Sequence, residues 1–274
     1  MSGNLVYFAK TNQRKKFVTE ILDIFKNQLQ GKILIKPNLV SYNEYPTTTH
    51  IETLETVIQF LEHLQTNIFV GDGYSFDLFK RKMKNTPIKN LCEKLNVPFI
   101  DFYEEKMEDL TTERNYVVKM SNVPFNAFDC IISLPVLKFH PVCTMTGALK
   151  NVVGYFDRKL RVEMHTGGND VDKLIAEANW LLYKDKGPKF HLTIMDAIKT
   201  MMLFNELRFG GEPYDLGYMI AGTNPVALDI FGFKLLKEHT PAYPDKELND
   251  VKHLLYSIEY GLGTTDYETQ ELNI

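Results

Sequence analysis

Cysteine is scarce in this sequence, and the few cysteines present form no recognisable motif. The 274 residues include three of them, Cys92, Cys130 and Cys143, which are far apart and odd in number. There is no CxxC pair, which argues against an iron–sulfur cluster or a zinc ribbon held by this chain. A scattered, odd set also argues against the disulfide framework of a small secreted protein, so we expect a reducing, cytoplasmic location.

Signals of membrane insertion and of nucleic-acid binding are also missing. The N-terminus has no early basic region followed by a long apolar stretch, and no uncharged apolar run approaches the length of a bilayer span. Lysine and arginine number 31 against 35 acidic residues, so we expect neither nucleic acid nor a membrane as a partner. One dense basic run, at residues 80–84, is interpreted as a solvated helix end, with an acidic partner as the alternative.

Two standard nucleotide motifs are absent as well. The sequence contains neither the GxGxxG fingerprint of dinucleotide binding nor the GxxxxGK[ST] phosphate loop. Nucleotides of those two kinds are therefore not supported, and the sequence leaves the cofactor unknown.

Short apolar runs alternate with helical patterns from one end of the chain to the other. Several runs carry valine and isoleucine on both faces, as buried parallel strands do. The alternation predicts an α/β protein with a mostly parallel, doubly wound-like sheet and helices on both faces. We expect a single domain over residues 1–274, with a small excursion around residues 96–126. The predicted strands are residues 5–9, 33–35, 68–70, 130–134, 192–195 and 218–221, and the predicted helices are residues 17–29, 51–64, 171–182, 225–238 and 251–260.

Polar residues follow five of the predicted strands. In an open parallel sheet the loops at the carboxyl ends of the strands open into a common crevice, which is where ligands bind. We therefore expect all five polar tips to meet at one edge of the sheet. The tips are Lys36-Pro37-Asn38, Gly71-Asp72-Gly73, the pair Lys138 and His140, Asp196, and residues 222–225.

The first of these tips contains a lysine whose backbone is restricted by proline, and the second contains a glycine-rich turn. Pro37 restricts Lys36 to extended geometry, so the lysine points off the strand end, and Asn38 adds a donor and an acceptor nearby. Gly71-Asp72-Gly73 is interpreted as a tight turn in which the backbone approaches a ligand closely. Three threonines and His50 precede the predicted helix at Ile51. One threonine or His50 caps the helix, and the hydroxyls could also bind an anion with its free amides; the threonines are Thr47, Thr48 and Thr49.

Residues 134–154 carry the densest set of candidate groups. Lys138 and His140 share one face if the chain is extended. Thr146 is interpreted as the start of a short helix that carries Lys150 and Asn151 and ends at Gly154. Two lysines and a histidine suit a phosphate or carboxylate, and a desolvated lysine beside another cation can lose its proton and act as a base or nucleophile. The alternative is a basic surface loop.

Three further residues complete the candidate set. His140 and Cys143 have a spacing that a metal can use with His165 or Asp196, but a lone His-x-x-Cys is not diagnostic, so we predict no metal site. His165 precedes a glycine-containing loop that could close over the pocket. Asp229 lies in an apolar helix, where a carboxylate is costly to bury unless it is paired. We expect a pocket lysine as its partner, either in a structural ion pair or with Asp229 as a catalytic acid.

These residues resemble the family catalogued as "domain of unknown function 362". The resemblance spans nearly the whole chain and includes the specific block Leu-Pro-x-Leu-Lys-x-His…Thr-Gly-Ala-x-Lys-Asn-x-x-Gly, at residues 134–154. Some members of that family carry a ferredoxin-like segment with cysteine clusters and are described as iron–sulfur proteins. This sequence has no such clusters. The resemblance implies a shared site without naming its reaction.

The leading hypothesis is an enzyme that acts on a small anionic substrate. Lys36, Lys150 and the threonines would hold the anion, Lys138 and His140 would transfer protons, and Asp229 or Asp196 would orient them. One alternative is a redox accessory protein whose pocket receives a cofactor or the cluster of a partner. Another is a non-catalytic module that binds an anionic metabolite or a partner protein. The oligomeric state stays open.

Overall fold

The structure is a computed structural model that describes residues 4–74, 86–126, 128–167, 170–241, 243 and 245–274. The basic run at residues 80–84 lies outside these residues. The strands and helices, in chain order, are β1 (Leu5–Lys10), α1 (Arg14–Ile24), β2 (Lys32–Pro37), α2 (Ile51–His63), β3 (Asn67–Asp72), α3 (Pro87–Lys94), β4 (Phe99–Asp101), β5 (Met107–Thr111), β6 (Val117–Ser121), β7 (Cys130–Leu134), β8 (Lys138–His140), β9 (Thr144–Thr146), α4 (Arg158–His165), α5 (Val171–Trp180), β10 (Phe190–Met202), β11 (Glu212–Gly222), α6 (Pro225–His239), α7 (Lys252–Glu259) and β12 (Glu268–Glu271).

The central sheet has eight strands in the order β12-β1-β11-β10-β7-β2-β3-β4. Every neighbouring pair is parallel except the two that involve β11, which runs antiparallel to β1 and to β10. Two apolar clusters cover the two faces: one includes residues of α1 and α2, and the other includes residues of α5, α6 and α7. The predicted α/β fold with a mostly parallel sheet and helices on both faces is confirmed.

The orientation of β11 corrects one prediction about the site. Since β11 is antiparallel to β10, its carboxyl end lies at the edge of the sheet opposite to the carboxyl ends of β2, β3, β7 and β10. Residues 222–225 therefore do not join the polar tips that follow β2, β3 and β7. Asn224 instead begins α6, where its Oδ1 accepts from the N–H of Val226 (2.9 Å) and Pro225 occupies the first turn.

The helices begin and end close to the predicted positions. α2 begins after His50, whose Nδ1 accepts from the N–H of Glu52 (3.2 Å), so the histidine rather than a threonine caps this helix. The predicted helix at residues 17–29 begins earlier, at Arg14, and ends at Ile24, where a short 3₁₀ turn (Lys26–Gln28) follows.

The excursion around residues 96–126 contains a separate two-stranded antiparallel sheet. It is formed by β5 and β6, with Leu110 paired to Val118. The side chains of Leu110, Val118 and Met120 are buried and belong to the same apolar cluster as Leu174 of α5. The excursion is confirmed as a hairpin that packs on the body of the protein.

A long hairpin extends beyond the central sheet. β10 has 13 residues, but it pairs with β7 only as far as Thr193, while it pairs with β11 as far as Met202. The register shifts between Ala197 and Lys199, which is a β-bulge. We call residues 199–215, which follow the bulge and include the connecting loop, the arm.

Candidate functional site

A cavity of about 590 Å³ opens at the carboxyl ends of β2 and β3, where β8, β9 and the arm also contribute. Eight of the predicted site residues line it: Lys36, Asn38, Asp72, Lys138, His140, Thr146, Lys150 and Asn151. Other lining residues belong to α4 and to the arm. Three different sequence segments, one before α2, one at the end of β3 and one between β7 and α4, therefore meet in one place.

Lys36 and Asp72 form a buried ion pair on neighbouring strands. The Lys36 Nζ lies 2.6 Å from Asp72 Oδ1, and each side chain is 2% exposed. Asp72 Oδ2 accepts from the N–H of Leu39 at 2.7 Å. Burial lowers the pKa of Lys36 and raises that of Asp72, and the attraction between the two groups opposes both shifts. Asp72 belongs to β3 and not to the predicted tight turn.

Lys138 is buried against neutral oxygens. Its Nζ donates to Asn38 Oδ1 (2.9 Å) and to the carbonyl oxygen of Thr47 (2.5 Å), and it forms no ion pair with any residue that the structure describes. Burial lowers the pKa of Lys138 to about 7; Glu206 opposes this shift and the nearby charge of Lys150 adds to it. Near neutral pH this amine therefore exists in both its charged and its neutral form.

Lys150 and Asn151 lie on a short 3₁₀ helix, Leu149–Tyr155, and not on a helix that starts at Thr146. Lys150 is 9% exposed, burial lowers its pKa, and it has neither an ion pair nor a hydrogen bond within the described parts of the chain. Asn151 Nδ2 donates to Ser133 Oγ at 2.9 Å. Asn151 Oδ1 and Thr146 Oγ1 are buried without a hydrogen-bond partner among the described residues. Such groups are costly unless something satisfies them.

Gly154 lies inside the 149–155 helix, although the sequence suggested that it ends a helix. A Cβ on this residue would overlap Asp72 Oδ1 and Lys36 Nζ. Glycine is required here because the helix backbone packs directly on the ion pair.

His140 lies two residues after Lys138 on β8, as the predicted shared face requires. Its Nδ1 accepts from the N–H of Val142 (3.2 Å) and from that of Cys143 (3.0 Å). With Nδ1 acting as an acceptor, the neutral ring carries its proton on Nε2.

Asp229 pairs with no lysine among the residues that the structure describes, which corrects the prediction. Its carboxylate is fully buried and accepts from the N–H of Ala148 (2.6 Å) and from that of Leu149 (3.0 Å). These are the first amides of the 149–155 helix, so Asp229 acts as its cap from a distant helix, α6. Burial raises the pKa of Asp229 to about 6. It positions Lys150 and Asn151 and does not line the cavity.

The three threonines bind backbone groups and are not among the described residues that line the cavity. Thr47 Oγ1 accepts from the N–H of Leu207, and Thr48 Oγ1 donates to the carbonyl of Asn43. Thr49 Oγ1 donates to the carbonyl of Leu134 at 2.6 Å. Their hydroxyls anchor the segment before α2, so the predicted anion contact has no support.

Asp196 also lies away from the cavity, because it is held at the β-bulge of β10. Its Oδ2 is 2.6 Å from Arg14 Nε, and its Oδ1 accepts from the hydroxyl of Tyr45 at 2.7 Å. His165 is the last residue of α4, and its side chain lies outside what the structure describes. The next residue, Thr166, lines the cavity.

No group of three histidine, cysteine, aspartate or glutamate side chains in the described parts of the chain is arranged to hold a metal ion. Cys143, the predicted companion of His140, is 1% exposed, and burial raises the pKa of its thiol to about 12. No described helix combines the length and the apolar character that a bilayer span needs.

One family model matches most of the chain. The model of the family described as "Domain of unknown function (DUF362)" matches residues 33–234. The chain belongs to the DUF362 family. The resemblance in the motifs is thereby confirmed, and every residue that lines the cavity lies inside the DUF362 match.

Relatives of this DUF362 chain include one curated protein and two solved structures. A thylakoid-associated protein of Synechocystis is 26% identical over 202 residues, which are 73% of this chain and 61% of that protein. A crystal structure of a Thermotoga maritima protein has a TM-score of 0.50 at 16% identity and covers 73% of this chain and 53% of its own. The lactate racemase apoprotein of Thermoanaerobacterium thermosaccharolyticum has a TM-score of 0.55 at 10% identity and covers 86% and 57%. This chain thus spans less than two thirds of these relatives, and the two structures show a shared fold.

Several cavity residues within the DUF362 match were missed by sequence reasoning, among them Arg161 and three residues of the arm. Arg161 of α4 is 8% exposed and donates to the carbonyls of Gly73 (2.7 Å) and Tyr74 (2.8 Å). The arm supplies Glu206, Arg208 and Phe209, and Arg208 Nε lies 2.5 Å from Glu206 Oε2. No predicted strand or helix contained any of the four, so their spacing carried no signal of a shared site.

Proposed function

We propose that this protein is an enzyme that binds a carboxylate- or phosphate-bearing substrate in the cavity and transfers a proton to or from it. The observation that carries the proposal is the pair of buried lysines, Lys138 and Lys150, that face the cavity with no carboxylate of a described residue bound to either. Buried cations are costly unless an opposite charge compensates them, so a bound anion would relieve that cost.

The overall charge of the cavity supports an anion. Among its lysine, arginine, aspartate and glutamate side chains, five are cationic and two are anionic. Both carboxylates are already in ion pairs, Asp72 with Lys36 and Glu206 with Arg208. The remaining cationic charge is therefore available to a ligand. The five cations are Lys36, Lys138, Lys150, Arg161 and Arg208.

The state of Lys138 supports proton transfer. A base works best when its pKa is near the working pH, and burial brings the pKa of Lys138 to about 7. We propose that the neutral amine accepts a proton from the bound substrate and that His140, on the same face of β8, is the second proton-transfer group. Among proteins of similar fold is a lactate racemase, which acts on a carboxylate.

Binding is tested by thermal unfolding with phosphate, acetate, lactate and malate. For the wild type we expect at least one of these anions to raise the melting temperature, since a ligand at ~100 times its Kd stabilises a fold by about 2.7 kcal/mol. Lys138→Met and Lys150→Met should lose that shift. Lys94→Met, which changes a 71% exposed lysine, should keep it. The same shift in all four proteins would refute the proposal.

Exchange of the carbon-bound protons of the ligand with solvent distinguishes catalysis from binding. Each bound carboxylate is incubated with the protein in deuterated water, and incorporation at carbon is followed by NMR. Wild-type protein should incorporate deuterium, and Lys138→Gln should slow this by about 100-fold or more, the typical contribution of a general base. If an anion binds tightly but neither protein exchanges its protons, the site is a binding module.

A cytoplasmic location stays a prediction. What supports it is that Cys92, Cys130 and Cys143 are free and buried, as expected where thiols remain reduced.

A further inference from the structure

The cavity is lined by lysines at its depth and by apolar side chains at its opening. Lys138 (0% exposed) and Lys150 (9% exposed) lie at its depth, and we call them the cationic floor. Val142 (53%), Phe204 (43%) and Phe209 (54%) line it where it meets solvent, and we call them the apolar mouth. The cavity is also lined by aliphatic side chains, namely Leu39, Val40, Val153 and Val162.

Exposed apolar side chains are concentrated at this mouth. The described residues include nine large apolar side chains that are exposed, and four of these are in the arm. Two of these four, Phe204 and Phe209, line the cavity, and so does Val142, which lies in the turn between β8 and β9. Single exposed apolar residues are ordinary, but a cluster that rims a cavity marks a binding surface. The four arm residues are Leu203, Phe204, Leu207 and Phe209.

The volume of the cavity exceeds what a bare anion needs. Its roughly 590 Å³ falls in the range of about 300–1,000 Å³ that pockets for drug-sized ligands occupy. A phosphate ion or a two-carbon acid at the cationic floor would leave the aliphatic walls and the mouth without a partner. Those walls gain free energy only from a ligand that covers them.

We propose that the substrate is an amphipathic anion, with a carboxylate or phosphate head on the cationic floor and an aliphatic or aromatic body against the apolar mouth. This inference rests on the proposed function and adds the class of substrate to it. The charge of the cationic floor determines which head group binds. The apolar mouth determines the length and shape of the ligand body that fits. Phe204 and Phe209 are specificity-determining residues in this assignment.

The test is a homologous series measured by isothermal titration calorimetry. The probes are acetate, butyrate, hexanoate and octanoate, with butyl and octyl phosphate as the phosphate arm. For the preferred head we expect Kd to fall about fourfold per methylene, the equivalent of ~0.8 kcal/mol for each buried group, until the walls are covered. The double variant Phe204→Ser, Phe209→Ser should show a much flatter dependence. Leu255→Ser, which removes an exposed leucine of α7, should keep the wild-type dependence.

The outcomes separate the two proposals. If short anions bind but Kd does not fall along either series, the amphipathic substrate is wrong and the anion site stands. If the dependence on length is unchanged in the double phenylalanine variant, the assignment of the mouth is wrong. If no member of either series binds, both proposals fail. A fall in Kd that the double variant abolishes supports the inference, and the series that shows it identifies the head group.

Discussion

Two buried lysines in the cavity differ in what their amines contact. Lys36 contacts a carboxylate at 2.6 Å, whereas the hydrogen-bond partners of Lys138 within the described residues are two neutral oxygens. An opposite charge offsets much of the cost of burying an ammonium, but a neutral acceptor offsets less of it. Lys36 therefore holds β2 to β3, whereas proton transfer by Lys138 belongs to the proposed function.

Lys138 should titrate with a midpoint near pH 7 in the free protein, because burial disfavours its charged form. Binding of an anion should raise that midpoint, since the anion favours the ammonium. NMR of isotopically labelled lysine side chains measures both values, and the Lys138→Gln variant assigns the signal. A midpoint near the ordinary value of 10.5 would contradict this prediction.

At the scale of the element, the 149–155 helix depends on a residue about 80 positions away. It starts at amides that Asp229 accepts from, and it packs on the Lys36–Asp72 pair through Gly154. Sequence reasoning singled out Asp229 and Gly154, but it expected a lysine as the partner of Asp229 and the end of a helix at Gly154. A buried carboxylate can be compensated by a lysine or by backbone amides, and spacing along the chain does not distinguish the two.

Asp229→Ala should lower the free energy of unfolding by about 2 kcal/mol, because two buried amides lose a charged acceptor. It should also weaken anion binding, since Lys150 and Asn151 lose their fixed position. Asp229→Asn retains one acceptor oxygen and should therefore lower the free energy of unfolding by less. Urea unfolding measures the effect. The control is Asp170→Ala, which removes the exposed cap of α5 and should cost about 1 kcal/mol without affecting binding.

The arm is attached at its base by one hydroxyl. Tyr45 donates to Asp196 Oδ1 at 2.7 Å and accepts from the N–H of Lys199 at 2.5 Å, at the bulge of β10. Tyr45→Phe should therefore loosen the arm, and we expect its amides to exchange with solvent about tenfold faster. Hydrogen-exchange mass spectrometry checks this. Tyr42→Phe is the matched control, because the Tyr42 hydroxyl has no hydrogen bond within the described residues, and equal exchange in both variants would refute the attachment.

Parallel strands could be predicted from the sequence more reliably than the loop contacts between them. The tips after β2, β3 and β7 meet because parallel strands place their carboxyl ends at one edge. The tip after β11 does not, because the chain between β10 and β11 turns back as a hairpin, which short apolar runs at residues 192–195 and 218–221 did not reveal. Arg161 and Phe209 reach the cavity only through packing of α4 and the arm, and no local pattern encodes that approach.

At the scale of the whole molecule, His191 links stability to pH. It is 7% exposed and stacks on Tyr183, with ring centroids 4.2 Å apart. Burial lowers its pKa from 6.5 to about 4. The unfolded chain therefore binds a proton between these pH values that the folded chain does not, so stability is full above about pH 6.5 and is lost as pH falls towards 4.

Replacing the His191 imidazole with a phenyl ring should reduce the loss of stability at low pH. Between pH 7 and pH 5 we expect the free energy of unfolding of the wild type to fall by on the order of 1–2 kcal/mol more than that of His191→Phe. Urea unfolding at the two pH values gives both numbers, and their difference cancels the contributions of other groups. An identical fall in the two proteins would mean that His191 is protonated as readily in the folded state as in the unfolded one.

Thr47 contacts both the arm, at the opening of the cavity, and Lys138, at its depth. The Thr47 hydroxyl oxygen accepts a hydrogen bond from the N–H of Leu207, and the Thr47 carbonyl oxygen accepts one from the amine of Lys138. Under the proposed function, a ligand that displaces the arm is expected to change the hydrogen bonding of Lys138, and with it the pKa of that amine.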